Sequence, residues 1–361
     1  MRQPIRLGIV GCGEAAQIIH LPSLRRLPDH FRVTALCDVS PKVLNGVGEQ
    51  WNIAGRHLDH GELLARPDVD AVLIANPHLH HKEVALAALA AGKHAMIEKP
   101  VCLTLEELDE LIRAQGPAGV TVQVGFMRRY APAFTEAVRL VGELDQIRLA
   151  RVHDVIGQNA LIIRQIATVI RGDDLPATLA LETKRRQDRI IAETIGTDDP
   201  SFVMAYAMLL GLSSHDVSAM RELLGVPRRV LFAEQRCEGR ALAAAFDYGD
   251  FVCQFESTVD RVPRFDGHLE VFGLTRTIRV QYDTPYVRNL PTRLIVTEAR
   301  GEGGCAVSEI TSSWEDAFVI EWRAFHDNIR HRRTPKTSLE DARHDLELFR
   351  DMIELMQHPP R

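Results

Sequence analysis

Ile5-Arg6-Leu7-Gly8-Ile9-Val10-Gly11-Cys12-Gly13-Glu14-Ala15-Ala16 is the stretch whose reading decides the fold. Ile5 to Val10 is apolar enough to be a strand buried in a sheet. The next six residues form G-x-G-x-x-A and lead into a run compatible with a helix. A dinucleotide-binding turn requires that strand–glycine–helix context. Gly11 makes the tight turn, Gly13 lets the backbone approach a pyrophosphate, and the small Ala16 allows close helix–strand packing. The helix start around Cys12, Glu14 and Ala15 offers free N–H groups and a partial positive charge to phosphates. Glycine patterns of this kind are common by chance, so the rest of the chain has to support it.

The next strand does. Phe31 to Cys37 alternates apolar and polar residues and ends at Asp38. An acid about 20 residues beyond the glycines can accept hydrogen bonds from the ribose hydroxyls of a dinucleotide. Asp38 would repel a 2′-phosphate and Val39 supplies no cation for one, so NAD(H) is expected over NADP(H). A helix begun by Ser40-Pro41 is equally compatible with Asp38 as a capping acid. Ala71 to Ala75 is a continuous apolar strand, ending at Asn76-Pro77-His78-Leu79-His80-His81. A helix up to Gly92 comes next, then the strand Ala95-Met96-Ile97, which runs into Glu98-Lys99-Pro100. Proline forces the residue before it out of the helical region, which leaves Lys99 at the carboxyl edge of the sheet, where open α/β sheets bind ligands. Standing alone, that lysine is more often a solvated surface charge. Thr104, with Glu107 three residues on, opens another helix, and Val120 to Val124 is a further strand. Strands alternating with helices predict a doubly wound α/β Rossmann domain over 1–124.

Composition narrows the function classes. A chain of 361 residues suggests two domains, and its net charge of −6 leaves no basic stripe for nucleic acid. No apolar run is long enough to span a membrane, and Met1-Arg2-Gln3-Pro4 leads straight to a strand, so no leader is expected. The six cysteines form no CxxC pair, which reads as buried thiols in a reducing cytoplasm. His78, His80 and His81 invite a metal reading, but no acid or cysteine sits at suitable spacing for zinc. No metal is expected.

The sequence resembles the Gfo/Idh/MocA family of NAD(P)-dependent oxidoreductases, which includes glucose–fructose oxidoreductase and inositol dehydrogenase. Gly11-Cys12-Gly13, His20-Leu21-Pro22, Asp38, Asn76-Pro77…His81, Ala91-Gly92-Lys93-His94, Glu98-Lys99-Pro100 and Gly125-Phe126…Arg128-Arg129-Tyr130-x-Pro132 carry the resemblance, in order, over the first third. It implies that Lys99 binds a substrate hydroxyl and assists proton transfer, that Glu98 lies near the nicotinamide ribose, and that Asn76 and His81 join the cofactor site. It also implies a role for Arg129 toward substrate and a cis peptide before Pro100. Relatives carry a further Asp-x-x-x-His element. Here His215 fits as the second catalytic and substrate-binding residue, but Gly211 stands where the acid would be. Asp216 can only partly substitute, since adjacent helical residues point about 100° apart, and a core histidine remains the plain alternative for His215.

Residues 125–361 are expected to form an α+β domain with a large open, mainly antiparallel sheet. Its strands are Ile147–Val155, Val230–Arg236, Leu242–Tyr248, Phe251–Thr258, His268–Leu274, Thr277–Tyr282 and Leu294–Glu298, with turns such as Tyr248-Gly249-Asp250 between them. Two helices end the chain within Trp314 to Met356. The stretch of about 158–210 is less family-like: helices are predicted over Ala160–Ile170 and Pro176–Ile195, the latter with charges at i,i+4 spacing. A lid, a subunit contact and an inert elaboration all remain open for it. The resemblance implies a cytoplasmic NAD(H)-dependent enzyme that moves a hydride to or from a secondary alcohol of a sugar, cyclitol or derivative. A homodimer or homotetramer through the second sheet would go with it. Two rivals stay open: a redox-neutral NAD-dependent glycoside-processing enzyme, and a non-catalytic NAD(H) sensor or partner-binding protein.

Overall fold

The computed structural model describes residues 3–359; Met1 and Arg2, on which the expectation of no leader rested, lie outside them. The chain makes two compact units. One comprises Met1–Gly125, Ala167–Ile190 and Phe318–Arg343, the other Phe126–Ile166, Ile191–Ala317 and His344–Arg361. The expected division into 1–124 and 125–361 is continuous in sequence; these units are not, because two later segments return to the first.

The first unit is built on six strands: β1 (Ile5–Val10), β2 (Phe31–Cys37), β3 (Gly55–His57), β4 (Ala71–Ile74), β5 (His94–Glu98) and β6 (Val122–Gly125). They pair in the order β3-β2-β1-β4-β5-β6, and every pairing is parallel. All four residues of β4 are buried, as a strand covered on both faces demands. Since all six strands run the same way, their carboxyl ends share one edge. The chain order reverses between β1 and β4, and a crevice at that switch point is where such sheets bind ligands. Gly11 sits there with φ +91°, and a Cβ on it would lie 2.4 Å from the Asn76 amide nitrogen. Only glycine fits. β3 was not foreseen, since three residues carry no periodicity.

Helix Ala317–His331 belongs to this sheet's core, although it lies about 200 residues beyond it. Trp322 and Phe325 are fully buried, and Phe31 packs edge-on to Trp322 at 5.2 Å between ring centres. Each such burial contributes about 1.5–3 kcal/mol. Thr337 then pairs with β6: Val124 N donates to Thr337 O at 2.8 Å, and Thr337 Oγ1 donates to Val124 O at 2.8 Å.

The second unit carries β7 (Ile147–Gly157), β8 (Arg229–Arg236), β9 (Ala241–Asp247), β10 (Val252–Asp260), β11 (Phe265–Gly273), β12 (Arg276–Tyr282), β13 (Arg293–Arg300) and β14 (Gly304–Ile310). Their order is β14-β13-β12-β11-β7-β10-β9-β8. Pairing is antiparallel throughout except between β7 and β10. Ala150, Val152, Asp154 and Ile156 alternate inward along β7. Helices Pro132–Val141 and Ser214–Leu224 contact strands of this sheet. The sequence reading missed β14, an edge strand whose residues are almost all exposed and therefore lack the alternation that marks a half-buried strand.

Other expectations need correction. The helix predicted over Ala160–Ile170 ends early, as Asn159–Ile166, and residues 167–176 are not helical. Of the charge pairs expected along the next helix, Ala177–Ile195, the pair observed is Lys184–Asp188. All six cysteines are free, but Cys237 and Cys305 are exposed rather than buried. Cys237 occupies a positive-φ position in the β8–β9 turn, and Cys305 lies on the edge strand β14. Among the described residues no helix is long and apolar enough to cross a membrane.

Candidate active site

Four loops leave the carboxyl edge of the first sheet, and each carries an expected site residue. Gly11-Cys12-Gly13 lies after β1, Asp38 after β2, Asn76 after β4 and Lys99 after β5. Asp38 ties two of these loops together. Its carboxylate accepts from Cys12 N at 2.8 Å and from Ser40 N at 2.9 Å. A carboxylate has about four lone-pair positions, so it keeps capacity for two ribose hydroxyls. Nothing lies within 4 Å of where a Cβ on Gly13 would be, which leaves the backbone there open to a phosphate. The helical run begins at Glu14 and Ala15. Asn76 Oδ1 is buried and has no hydrogen-bond partner among the described residues. A buried acceptor left unsatisfied costs about 1–3 kcal/mol, and a ligand hydroxyl or amide would satisfy it. These residues fit a dinucleotide.

Beyond β5, Glu98 is held by His20, a residue given no site role from sequence. Trp322 Nε1 donates to His20 Nδ1 at 3.2 Å, so in the neutral imidazole the proton sits on Nε2. That nitrogen lies 2.8 Å from Glu98 Oε1. The π-helical turn Ala16–His20 turns His20 inward, and its ring is 1% exposed. Burial alone would push the Glu98 carboxyl up, but the His20 hydrogen bond and the nearby Lys99 cation outweigh it and hold the group below its ordinary range. Glu98 is therefore an anion beside Lys99. The Lys99–Pro100 peptide is cis, as expected from the resemblance.

His81 is fully enclosed. Its Nδ1 lies 2.7 Å from Pro100 O and its Nε2 2.8 Å from Asn76 O, which links the loops after β4 and β5. Burial holds its pKa below the ordinary value. Burial, with His81 and Lys99 nearby, takes His78 down to about 3. Both rings are neutral near pH 7, and His81 positions the two loops.

In the second unit, His215 opens helix Ser214–Leu224, directly after a π-helical turn, Leu209–Ser213. Turns of this kind recur at functional sites. It also undermines the four-residue spacing used to align Gly211 with an acid, because i→i+5 turns rotate preceding residues off that face. Space next to Gly211 is open: a Cβ would meet nothing within 4 Å. Asp216 and Arg129, expected to face substrate, instead turn into the interior. Asp216 pairs with Arg128, which also reaches Asp154 at 3.3 Å and lies over the Tyr282 ring at 5.0 Å. Arg129 Nε donates to Glu222 Oε2 at 2.5 Å. Burial, with Asp154 alongside, pushes the Asp216 carboxyl well up against the pull of Arg128. One guanidinium thus serves two buried carboxyls.

One further cluster had no sequence signal. His153 on β7 and His268 on β11 are cross-strand partners, stacked at 4.7 Å. With Asp266 they place three metal-type donor atoms within 4.8 Å of one another. Arg279 Nη2 sits 3.1 Å from His268 Nδ1, so one nitrogen of the cluster already faces a permanent cation.

Comparison with known proteins agrees with this geometry. Residues 5–126 match the model of an oxidoreductase family with an NAD-binding Rossmann fold. The chain is 33% identical to inositol 2-dehydrogenase 3 of Saccharopolyspora erythraea, over 91% of this chain and 86% of that one. Against an uncharacterized oxidoreductase, YrbE, of Bacillus subtilis it is 32% identical, over 42% of this chain and 45% of the relative's length. Among solved structures, a 3-ketoreductase from Actinomadura kijaniata, in complex with TDP-benzene and NADP, superposes with a TM-score of 0.73. It is 19% identical, covering 98% of this chain and 97% of that one.

Proposed function

This chain belongs to the Gfo/Idh/MocA family of oxidoreductases, and from that premise we propose that it is an NAD(H)-dependent dehydrogenase acting on a secondary alcohol of a sugar, cyclitol or derivative. The observation that carries the reading is Lys99, directly beyond β5 on the same carboxyl edge as Gly11 and two strands away from it. The polyol class is supported by the inositol dehydrogenase relative.

NAD(H), when bound, supplies the two-electron hydride chemistry. Asp38 would accept from the adenosine ribose, the backbone at Gly13, Glu14 and Ala15 would receive the pyrophosphate, and Asn76 Oδ1 would accept from the nicotinamide end. In oxidation the neutral Lys99 amine accepts a hydrogen bond from the reacting hydroxyl and takes its proton as the hydride leaves; in reduction the Lys99 ammonium donates to the carbonyl oxygen and returns that proton. Glu98, held in one orientation by His20, keeps the charge beside Lys99 balanced. For His215, a second substrate-facing role rests on the family resemblance alone. Arg129, paired with Glu222, and Asp216, bonded to Arg128, are buried in the second unit's core.

The test is a panel of inositols and sugars with NAD⁺, monitoring NADH and identifying products by mass spectrometry. Lys99→Met is expected to lower turnover by at least about 100-fold, the range of a lost acid–base group, while NADH binding by fluorescence persists. Full activity in Lys99→Met would sink the assignment. Product formation without net NADH would favour the redox-neutral rival, and tight NADH binding with no turnover on any polyol would favour the sensor.

A further inference from the structure

Between helices Asn159–Ile166 and Ala177–Ile195 the chain crosses the first unit as a strap. Gln17, in the first helical run after the glycines, clamps it: Gln17 Nε2 donates to Ile170 O at 2.8 Å, and Ile170 N donates to Gln17 Oε1 at 2.8 Å. Arg171 reaches Glu14 at 2.8 Å. Gly172 passes so close to Ser40 that a Cβ on it would lie 3.1 Å from the serine Cβ. The strap then ends on the start of helix Pro41–Gln50, whose capping residue Ser40 lies two residues beyond Asp38. Asp174 accepts from Ser40 Oγ at 2.5 Å and from Lys42 N at 2.9 Å. Asp173 accepts from Lys42 Nζ at 2.6 and 2.8 Å.

Those three donors form a set with a recognisable use. A hydroxyl, a free amide at a helix start and an ammonium are together what a phosphate needs. They lie just past the acid that accepts from the adenosine ribose, so they are the donors that a phosphate on the 2′-oxygen would find first. In this chain all three are taken by two of its own carboxylates. The hydrogen bonds from Ser40 and Lys42 also hold the Asp174 carboxyl below its ordinary range, so it is ionised at neutral pH. Asp38 alone disfavours a 2′-phosphate; the strap adds two more negative charges and removes the cation that could have offset them.

We infer that Asp173 and Asp174 are cofactor-specificity residues, filling from the strap the anion position that NADP(H) would require and so biasing the site toward NAD(H). This rests on the reading of the first unit as an NAD(H) site. It also gives the 158–210 elaboration a task that depends on cofactor.

The test is titration of the ligand-free protein, by fluorescence with NADH and NADPH and by calorimetry with ADP-ribose and 2′-phospho-ADP-ribose. The wild type is expected to bind NADH at least tenfold more tightly than NADPH. In Asp173→Asn/Asp174→Asn the ratio of NADPH to NADH affinity is expected to rise at least tenfold, with the ADP-ribose pair shifting in parallel. Each single substitution leaves one carboxylate and gives an intermediate ratio, so the singles decide the matter if the double variant does not fold. An unchanged ratio in protein that still binds NADH overturns the inference and leaves the NAD(H) reading intact. Wild-type protein that binds neither nucleotide overturns both.

Discussion

The carboxyl edge of the first sheet and the interior of the second unit hold polar side chains in opposite ways. At the edge, Asp38 is fixed by backbone N–H groups from two loops, and Asn76 keeps a buried oxygen with no partner among the described residues. In the second unit, Arg128, Asp154 and Asp216 are all buried and bond to one another. An edge anchored by backbone can leave acceptors open for a ligand without losing its shape. In the cluster Asp154 Oδ1 and Asp216 Oδ2 also lack a partner among the described residues, but there the arrangement itself depends on Arg128, since each group's desolvation is offset only by its neighbours. The edge therefore reads as binding surface and the cluster as framework.

The largest effect should come from breaking the cluster. Arg128→Met leaves two buried carboxyls without their cation, and it is expected to destabilise by about 3–5 kcal/mol. Adding Asp154→Asn and Asp216→Asn removes the carboxyls left without their cation, so the triple variant should recover more than half of that loss. Urea unfolding of the three proteins decides it. A triple variant no more stable than the single one would mean that packing around Arg128, rather than charge balance, holds the region.

A second effect is smaller and depends on pH. Burial, with Asp154 alongside, raises the Asp216 carboxyl well above its ordinary range in the folded protein, whereas in the unfolded chain it titrates near ~3.9. Above about pH 4 the folded state therefore keeps a proton that the unfolded state has released. The stabilisation from this site is complete below the unfolded value and is lost as pH rises through the folded one. Asp216→Asn is neutral at every pH, so its stability relative to the parent should increase with pH above about 4, by at most ~1.4 kcal/mol per pH unit. Urea midpoints measured across a pH series give the slope. A flat or opposite difference would show that Asp216 is ionised in the fold, which would weaken the contrast with the sheet edge.

The legibility of the sequence divides along the same line. Gly11, Asp38, Asn76 and Lys99 could be placed because each ends a strand, and strand ends have local signatures: an apolar run, a glycine, an acid, a proline. His20 had no such signature for its place against Glu98, since its Trp322 partner is 302 residues away. Arg128, Asp154 and Asp216 look like surface charges until the fold gathers them, and the substrate roles expected for Arg129 and Asp216 come from the resemblance and not from any local pattern. The π-helical turn before His215 shifts a register that α-helical spacing takes for granted. The strap at 167–176 has no periodicity at all, and its first four residues were read as the end of a helix.

The smallest prediction tests whether burial, rather than pairing itself, separates these regions. Lys184 and Asp188 on helix Ala177–Ile195 form an i,i+4 ion pair, nominally the same interaction as Arg128 with Asp216. The Lys184 side chain, however, is 60% exposed and the Arg128 side chain 5%. Water screens the exposed pair and already solvates both ions, so holding two long side chains together returns little. Lys184→Ala should change stability by no more than about 0.5 kcal/mol, several-fold less than Arg128→Met in the same urea assay. Alanine's higher helix propensity offsets part even of that. A loss above about 1.5 kcal/mol, beyond the usual range for an exposed pair, would mean that Lys184 is covered in solution, and a protomer–protomer contact over this helix would then be the first thing to look for by sedimentation.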